Sequence, residues 1–124
     1  MKLVKQPTGS SQCGQACVAT VCGLTLEESL MIFRRKGATR TKQLIQALSQ
    51  MGIACGDKLV RGFPKGHPAI LKFTHPSGRS HWVVWYGNKY YDPVTGVFRK
   101  VPQWLEKSRV TSHLKLYCGL EQSG

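Results

Sequence analysis

The strongest constraint on the fold comes from residues 11–23, which read SQCGQACVATVCG. After a small polar start, this segment is apolar on nearly every side of a helix, and such a helix has to be buried. Gly23 favours a stop there, because glycine adopts the left-handed conformation that is common just past a helix end. We therefore predict a central buried helix over residues 12–22, with Cys13 in its first turn.

Cys13 would lie where free N–H groups and the positive end of the helix dipole gather. That setting lowers the pKa of a thiol and favours the thiolate, which is the nucleophilic form. Cys17 and Cys22 are interpreted instead as small core residues, because free cysteine is among the residue types most often buried. For Cys13 a core role is the plainer alternative, and residues further along the chain argue against it.

Length and composition predict one domain over residues 1–124, and a chain of 124 residues can bury a core without disulfide bonds. The first residues lack the apolar run of a signal peptide, and no apolar stretch reaches the length of a membrane span. The five cysteines show no disulfide-framework spacing. We therefore expect free thiols in a reducing, cytoplasmic compartment.

The charge is unbalanced, with 18 Lys and Arg against six Asp and Glu and a net charge of +12. Such a field attracts anionic partners. We expect a protein or peptide substrate of acidic character. Nucleic acid is a less favoured partner, because the basic residues are scattered and the densest cluster is modest. That cluster is Arg34-Arg35-Lys36, followed by Arg40 and Lys42.

Two more helices are predicted before residue 53. Thr25 and Glu28 have the capping-box spacing and open a helix over residues 26–35 that ends before Gly37. A third helix starts near Thr39 or Thr41 and closes at Gly52. The expected buried faces are Leu26, Leu30 and Phe33 in the second helix, and Leu44, Ile45, Leu48 and Met51 in the third.

The remainder of the chain has the composition of strands. Candidate strands cover residues 53–55, 58–60, 68–73, 81–86, 89–91, 97–101 and 113–118, and a short helix covers residues 102–107. The strongest strand is HWVVWY at 81–86, and Gly87-Asn88 turns it into an antiparallel return. Residues 2–6 form an extended arm. Helices followed by an antiparallel sheet predict a two-layer α+β domain.

His81 and Asp92 lie on either side of that two-residue turn. The two limbs are of similar length, so their far ends should lie side by side. A carboxylate beside an imidazole holds the ring tautomer and leaves the other ring nitrogen for a thiol, so Cys13, His81 and Asp92 match nucleophile, base and orienter. Taken singly, Asp92-Pro93 is a common turn signal and His81 is an ordinary histidine. Their joint occurrence with Cys13 favours a reactive site.

On these residues the chain resembles the papain-like cysteine peptidases, most closely the bacteriocin-leader or double-glycine branch. The shared features are Gln6, the CGQA helix opening at 13–16, the HWVV strand at 81–84 and Asp92-Pro93. The resemblance implies a papain-like fold, with N-terminal helices packed on a C-terminal antiparallel sheet. It also implies Cys13 as nucleophile, His81 as general base, Asp92 as orienter and Gln6 as a side-chain donor to the oxyanion.

Two departures from the family pattern leave alternatives open. Six residues separate Gln6 from Cys13 where the family usually has five, so Gln12 is a rival for the oxyanion. The plant and lysosomal branch uses the second cysteine of a Cys-Gly-x-x-Cys run, which here points to Cys17. We favour Cys13, because the start of a helix is the more open position with the lower thiol pKa.

The expected function is that of a stand-alone thiol hydrolase acting on a peptide or isopeptide bond, with deamidase or transferase variants open. The alternative is a catalytically inactive, peptidase-like binding module with a basic surface for an acidic protein or nucleic acid. No cofactor or metal is expected, because Cys13, Cys17 and a histidine make a poor zinc pattern. Gly56, Trp82 and the loop near Gly66-His67 are candidate cleft residues.

Overall fold

Three helices precede six strands in the structure, a computed structural model that describes residues 1–117. The helices are α1 (Cys13–Cys22), α2 (Leu26–Phe33) and α3 (Thr41–Gln50). The strands are β1 (Val60–Arg61), β2 (Ala69–Thr74), β3 (Ser80–Tyr86), β4 (Lys89–Asp92), β5 (Gly96–Phe98) and β6 (Arg109–Lys115), and a 3₁₀ turn (Gln103–Leu105) precedes β6. All pairs are antiparallel, in the order β1-β6-β2-β3-β4-β5. The α+β class is confirmed.

The central helix α1 is buried as its sequence predicts. Ala16, Cys17, Val18 and Ala19 are fully buried, and α1 packs against α2, α3 and β3. Gly23 ends the helix in the left-handed conformation and donates its backbone N–H to the carbonyl of Ala19. The side chains of α1 form one core with those of α3 and of one face of the sheet. This packing excludes water from the helix.

The second face of the sheet is also covered. Successive side chains of a strand point to opposite faces, so a strand apolar at nearly every position needs packing on both sides. One face of β2 and β3 meets the helices. The other face carries a second, smaller core of Ala69, Leu71, Phe73 and Val83, closed by Leu105 from the 3₁₀ turn. This turn therefore lies close to the start of β3.

The helix α2 differs from its prediction at both its end and its buried face. The capping box is confirmed, since the Thr25 and Glu28 side chains each accept the other's backbone N–H. The helix ends at Phe33 because Arg34 takes the left-handed conformation, two residues before the predicted end. Its buried residue is Ser29, while the expected face is only half-buried. Ser29 donates its hydroxyl to the Gln15 carbonyl, so a small side chain lets α2 approach α1 closely.

Several strand boundaries also differ from their predictions. Residues 53–55 form only an isolated bridge between Cys55 and Leu116, and residues 102–107 contain only the 3₁₀ turn. The strand β5 ends at Phe98, because the next pair in its register would oppose Arg99 to Lys89. The strand β6 starts four residues earlier than predicted, because β2 pairs with it along its whole length. Cys118 lies outside the described residues.

No single helix in residues 1–117 has both the length and the apolarity needed to cross a membrane. Only α1 and α2 taken together meet that test, and a bend of 113° separates them.

We predict that Gly14→Ala destabilises the protein by about 1–3 kcal/mol, the usual cost of overpacking. A Cβ at this position would overlap Thr39 Oγ1 and lie 3.2 Å from Leu44 Cδ2. Urea denaturation followed by circular dichroism measures the change. Gly37→Ala is the matched control, because its Cβ meets nothing closer than 3.8 Å; equal stability of the two variants would contradict the packing described for α1.

Candidate functional site

The β3–β4 hairpin brings His81 and Asp92 together. Gly87 and Asn88 both have positive φ angles, 58° and 61°, as a two-residue hairpin turn requires. The register of this hairpin pairs Trp85 with Tyr90. At its far end, His81 Nε2 donates to Asp92 Oδ1 at 2.7 Å. The contact is nearly dry, since Asp92 is fully buried and His81 is 9% exposed.

Asp92 receives further hydrogen bonds that hold it in one orientation. Its Oδ2 accepts from the Thr95 hydroxyl and, at 2.7 Å, from the indole N–H of Trp104. Burial by itself raises the pKa of this carboxyl, but the hydrogen bonds from His81, Thr95 and Trp104 lower it below its usual value. Asp92 is therefore a carboxylate at neutral pH, and its negative charge faces the imidazole.

Trp104 is a site residue that the sequence reasoning missed. Its indole ring packs edge-on against the His81 imidazole, with 4.8 Å between ring centroids. The 3₁₀ turn presents it there, although about half of the residue is exposed. Thr95 was missed too, but its position three residues after an aspartate is a familiar local hydrogen-bonding pattern. No comparable local signal links Trp104 to Asp92.

Cys13 opens α1 beside this pair. Gln12 provides no side-chain cap, so backbone N–H groups at the helix start remain free for other acceptors. Burial by itself raises the pKa of the Cys13 thiol. Hydrogen bonding with His81, the charge of His81 and the backbone N–H groups of Trp82 and Gly14 outweigh burial and lower that pKa.

The pKa of His81 moves in the opposite direction. Burial by itself lowers it, but hydrogen bonds with Asp92 and Cys13 and the negative charges of both groups raise it to about 9. Because Nε2 is bonded to Asp92, Nδ1 is the ring nitrogen left for the sulfur. The two shifts favour transfer of the thiol proton to the ring, which leaves a thiolate beside an imidazolium.

Cys17, the rival for Cys13, has a different environment. It is fully buried one helical turn deeper, and burial together with the charges of Cys13 and Asp92 raises its pKa well above the usual value. Burial also raises the pKa of Cys22 to about 11 and that of Cys55 above its usual range. All four of these cysteines are free. Of these four thiols, only Cys13 is shifted toward the thiolate.

The two candidate glutamines also have different positions. Gln6 lines the same cleft as Cys13, because the N-terminal arm bonds through the Gln6 N–H to the carbonyl of Pro93. Its Nε2 donates to the Ser10 carbonyl at 2.7 Å, while its Oε1 is buried without a partner among the described residues. Gln12 is outside the cleft lining, and its Nε2 donates to the Lys36 carbonyl at 3.1 Å.

An open cleft of about 980 Å³ leads to Cys13 and His81. Its lining includes small residues of two loops, which are Thr8, Gly9, Ser10, Ser11, Ala38 and Thr39. Apolar residues also line it, including Trp82, Val94 and Trp104. The expectation for Trp82 is therefore met, but the expectations for Gly56 and Gly66-His67 are wrong. Gly56 and His67 contact β6 instead, where the Gly56 N–H donates to the Lys115 carbonyl and the His67 ring contacts the His113 ring.

A scan against protein-family models finds no match to this chain, and a search of curated proteins finds none either. Within residues 1–117, no group of three His, Cys, Asp or Glu side chains could hold a metal ion. The function is therefore inferred from the geometry and chemistry of the residues themselves.

We predict that Asp92→Asn lowers the His81 pKa from about 9 toward 6.5, because the carboxylate charge and its strong hydrogen bond are lost. Titration of the His81 ring by NMR measures this shift. Asp57→Asn is the matched control, since it removes the only other aspartate, which is exposed. An unchanged His81 pKa in the Asp92 variant would contradict the coupling.

The raised His81 pKa also has a defined effect on stability. A folded-state pKa above the usual 6.5 means that protonated His81 stabilises the fold fully below pH 6.5, and that this contribution is lost as the pH rises through about 9. We expect Asp92→Asn to weaken this alkaline loss, which urea denaturation across the pH range measures. If the variant lost the same stability at alkaline pH, that loss would have to come from groups other than His81.

Proposed function

We propose that this chain is a papain-like thiol hydrolase that cleaves a peptide or isopeptide bond in a protein substrate. In this proposal Cys13 is the nucleophile, His81 the general acid and base, and Asp92 the residue that orients the ring. One observation carries it: His81 lies between a buried carboxylate, at 2.7 Å, and a thiol whose pKa is lowered at the start of a buried helix. This is the arrangement that activates a cysteine nucleophile.

The papain-like fold is part of the same proposal. Its support is the division of labour between the two layers, since the helical layer carries Cys13 and the antiparallel sheet carries His81 and Asp92. The order of these residues along the chain and the helix start at Cys13 agree with the resemblance. The cleft reaches the sulfur where the two layers meet.

In the first half of the reaction, the Cys13 thiolate attacks the carbonyl carbon and the carbonyl electron pair moves onto oxygen. The Cys13 backbone N–H stabilises this oxyanion, and the Gln6 amide joins it after turning from Ser10. Collapse of the intermediate breaks the carbon–nitrogen bond, and the leaving amine takes its proton from the His81 imidazolium. The products are a free amine and a thioester on Cys13.

In the second half, neutral His81 takes a proton from water as the water oxygen attacks the thioester carbon. Collapse of the second intermediate expels the Cys13 sulfur as a thiolate and releases a carboxylic acid. Asp92 stays ionised and holds the ring through Nε2, so Nδ1 faces the reacting atoms in both halves. The net change is addition of one water molecule across the bond.

An inactive binding module is the second candidate, and one observation favours it. The Gln6 Nε2 is bonded to the Ser10 carbonyl, so this side-chain donor is occupied and not free for an oxyanion in this conformation. A peptidase-like fold without that donor would bind a partner through its basic surface and leave the partner intact.

Selective alkylation separates these two candidates. We predict that iodoacetamide near pH 6 modifies Cys13 at least about tenfold faster than any other cysteine, because only a thiolate reacts at that pH. Peptide mass mapping at successive times measures each rate. His81→Ala should abolish the selectivity, with circular dichroism as the check that the variant folds. Equally slow labelling of all cysteines would overturn the hydrolase proposal.

The oxyanion donor is tested by a matched pair of glutamine variants. We predict that Gln6→Ala slows acylation of Cys13 by p-nitrophenyl acetate by about a hundredfold, the usual effect of losing one oxyanion donor. Gln12→Ala should leave that rate unchanged, because its amide is bonded to the Lys36 carbonyl outside the cleft. Stopped-flow absorbance of p-nitrophenol gives both rates. The reverse result would transfer the role to Gln12.

A further inference from the structure

One wall of the cleft continues into the most basic segment of the chain, residues 34–42, which we call the basic segment. It carries five cations on exposed residues, which are Arg34, Arg35, Lys36, Arg40 and Lys42. The one ion pair among residues 1–117 joins His81 to Asp92. The cations of the basic segment therefore have no carboxylate partner within the described part of the chain.

The first turn of α1 holds the basic segment in place. The Gln15 amide is buried and donates to the carbonyls of Arg35 and Gly37, at 3.0 and 2.8 Å. The Gln12 amide donates to the carbonyl of Lys36 at 3.1 Å. Gly14 leaves room for Thr39, which a Cβ would strike. These three residues flank Cys13 in the sequence, so the elements that position the sulfur also position the basic segment.

A cation also lines the cleft itself. Ala38 and Thr39 of the basic segment line it, and Arg79 lines it from the turn between β2 and β3. No Asp or Glu in residues 1–117 lines it. A polypeptide entering the cleft therefore meets Arg79 in the lining and, next to it, the exposed cations that flank Ala38 and Thr39 in the basic segment. Cationic surfaces of this kind favour and steer acidic segments.

We propose that the basic segment is a substrate-recognition wall, which binds an acidic stretch of polypeptide and directs the neighbouring bond to Cys13. This inference rests on the proposed function and adds the class of substrate. At the basic segment a peptide fits better than a single-stranded nucleic acid, because proteins that bind single strands commonly stack the bases on exposed aromatic rings. The basic segment has none, and the preceding Phe33 packs against the core.

The test uses two fluorescein-labelled peptides. One is built from Glu, Ala and Gly, and the other has Gln in place of every Glu. We expect the Glu peptide to protect Cys13 from iodoacetamide at a concentration about tenfold lower than the Gln peptide requires. Added salt should remove the difference, because exposed charges are screened. Fluorescence anisotropy measures binding of both peptides independently of the reactivity of Cys13.

The matched variants differ only in where charge is removed. Lys36→Gln, Arg40→Gln and Lys42→Gln together should abolish the preference for the Glu peptide. Lys58→Gln, Arg61→Gln and Lys65→Gln remove the same charge from exposed residues outside the basic segment and should retain it. Iodoacetamide labelling without peptide should be equal in both triple variants.

Three other outcomes would overturn the proposal. Equal protection by both peptides would show that the cleft does not prefer acidic peptides. Binding of the Glu peptide without protection of Cys13 would place it away from the cleft. Salt-sensitive binding of a single-stranded oligonucleotide that depends on residues 36, 40 and 42, with peptide selectivity unchanged, would assign the wall to nucleic acid. Loss of selective Cys13 labelling marks a failure of the proposed function itself, while anisotropy still reports on acid recognition.

Discussion

Burial of α1 on all sides is the constraint on which the rest of the structure depends. In a fully buried helix, polar side chains gain stability from hydrogen-bond partners, because an unpaired buried polar group costs about 1–3 kcal/mol. Thr20 bonds to the Ala16 carbonyl and accepts the Val4 N–H, which fastens the N-terminal arm. The Gln15 Nε2 donates to two carbonyls of the loop after α2, while the Gln15 Oε1 has no partner among the described residues. The polar groups of one helix thus fix both segments that flank Cys13.

The electrostatics of the site follow from the same burial. Away from water, a charge is stable only beside a partner, and the structure supplies partners in a row: Trp104 and Thr95 donate to Asp92, Asp92 accepts from His81, and His81 faces Cys13. For each of these three groups, the contacts taken together outweigh the effect of burial on its pKa. Reactivity at Cys13, as proposed, therefore depends on a hydrogen-bond network that begins at an exposed tryptophan.

Much of this arrangement could be predicted from local sequence. Apolar residues on every side of 13–22, the capping box at Thr25 and the turn at Gly87-Asn88 each depend on neighbours within a few residues, and the structure contains all three. Predictions failed where a boundary depended on a distant partner. The strand β6 is longer than its own residues indicate because β2 pairs along it, and the inner face of α2 is set by the backbone of α1.

By itself, the sequence determined which residue types stand at the helix start and at the two ends of the hairpin, because hydrophobic periodicity and turn chemistry are short-range properties. Only the tertiary structure decided what surrounds them. It placed Trp104 on Asp92, Gln6 but not Gln12 in the cleft, and the basic segment beside Cys13. Those contacts join residues far apart in the chain, and they arise from packing two layers on one buried helix, which no local pattern encodes.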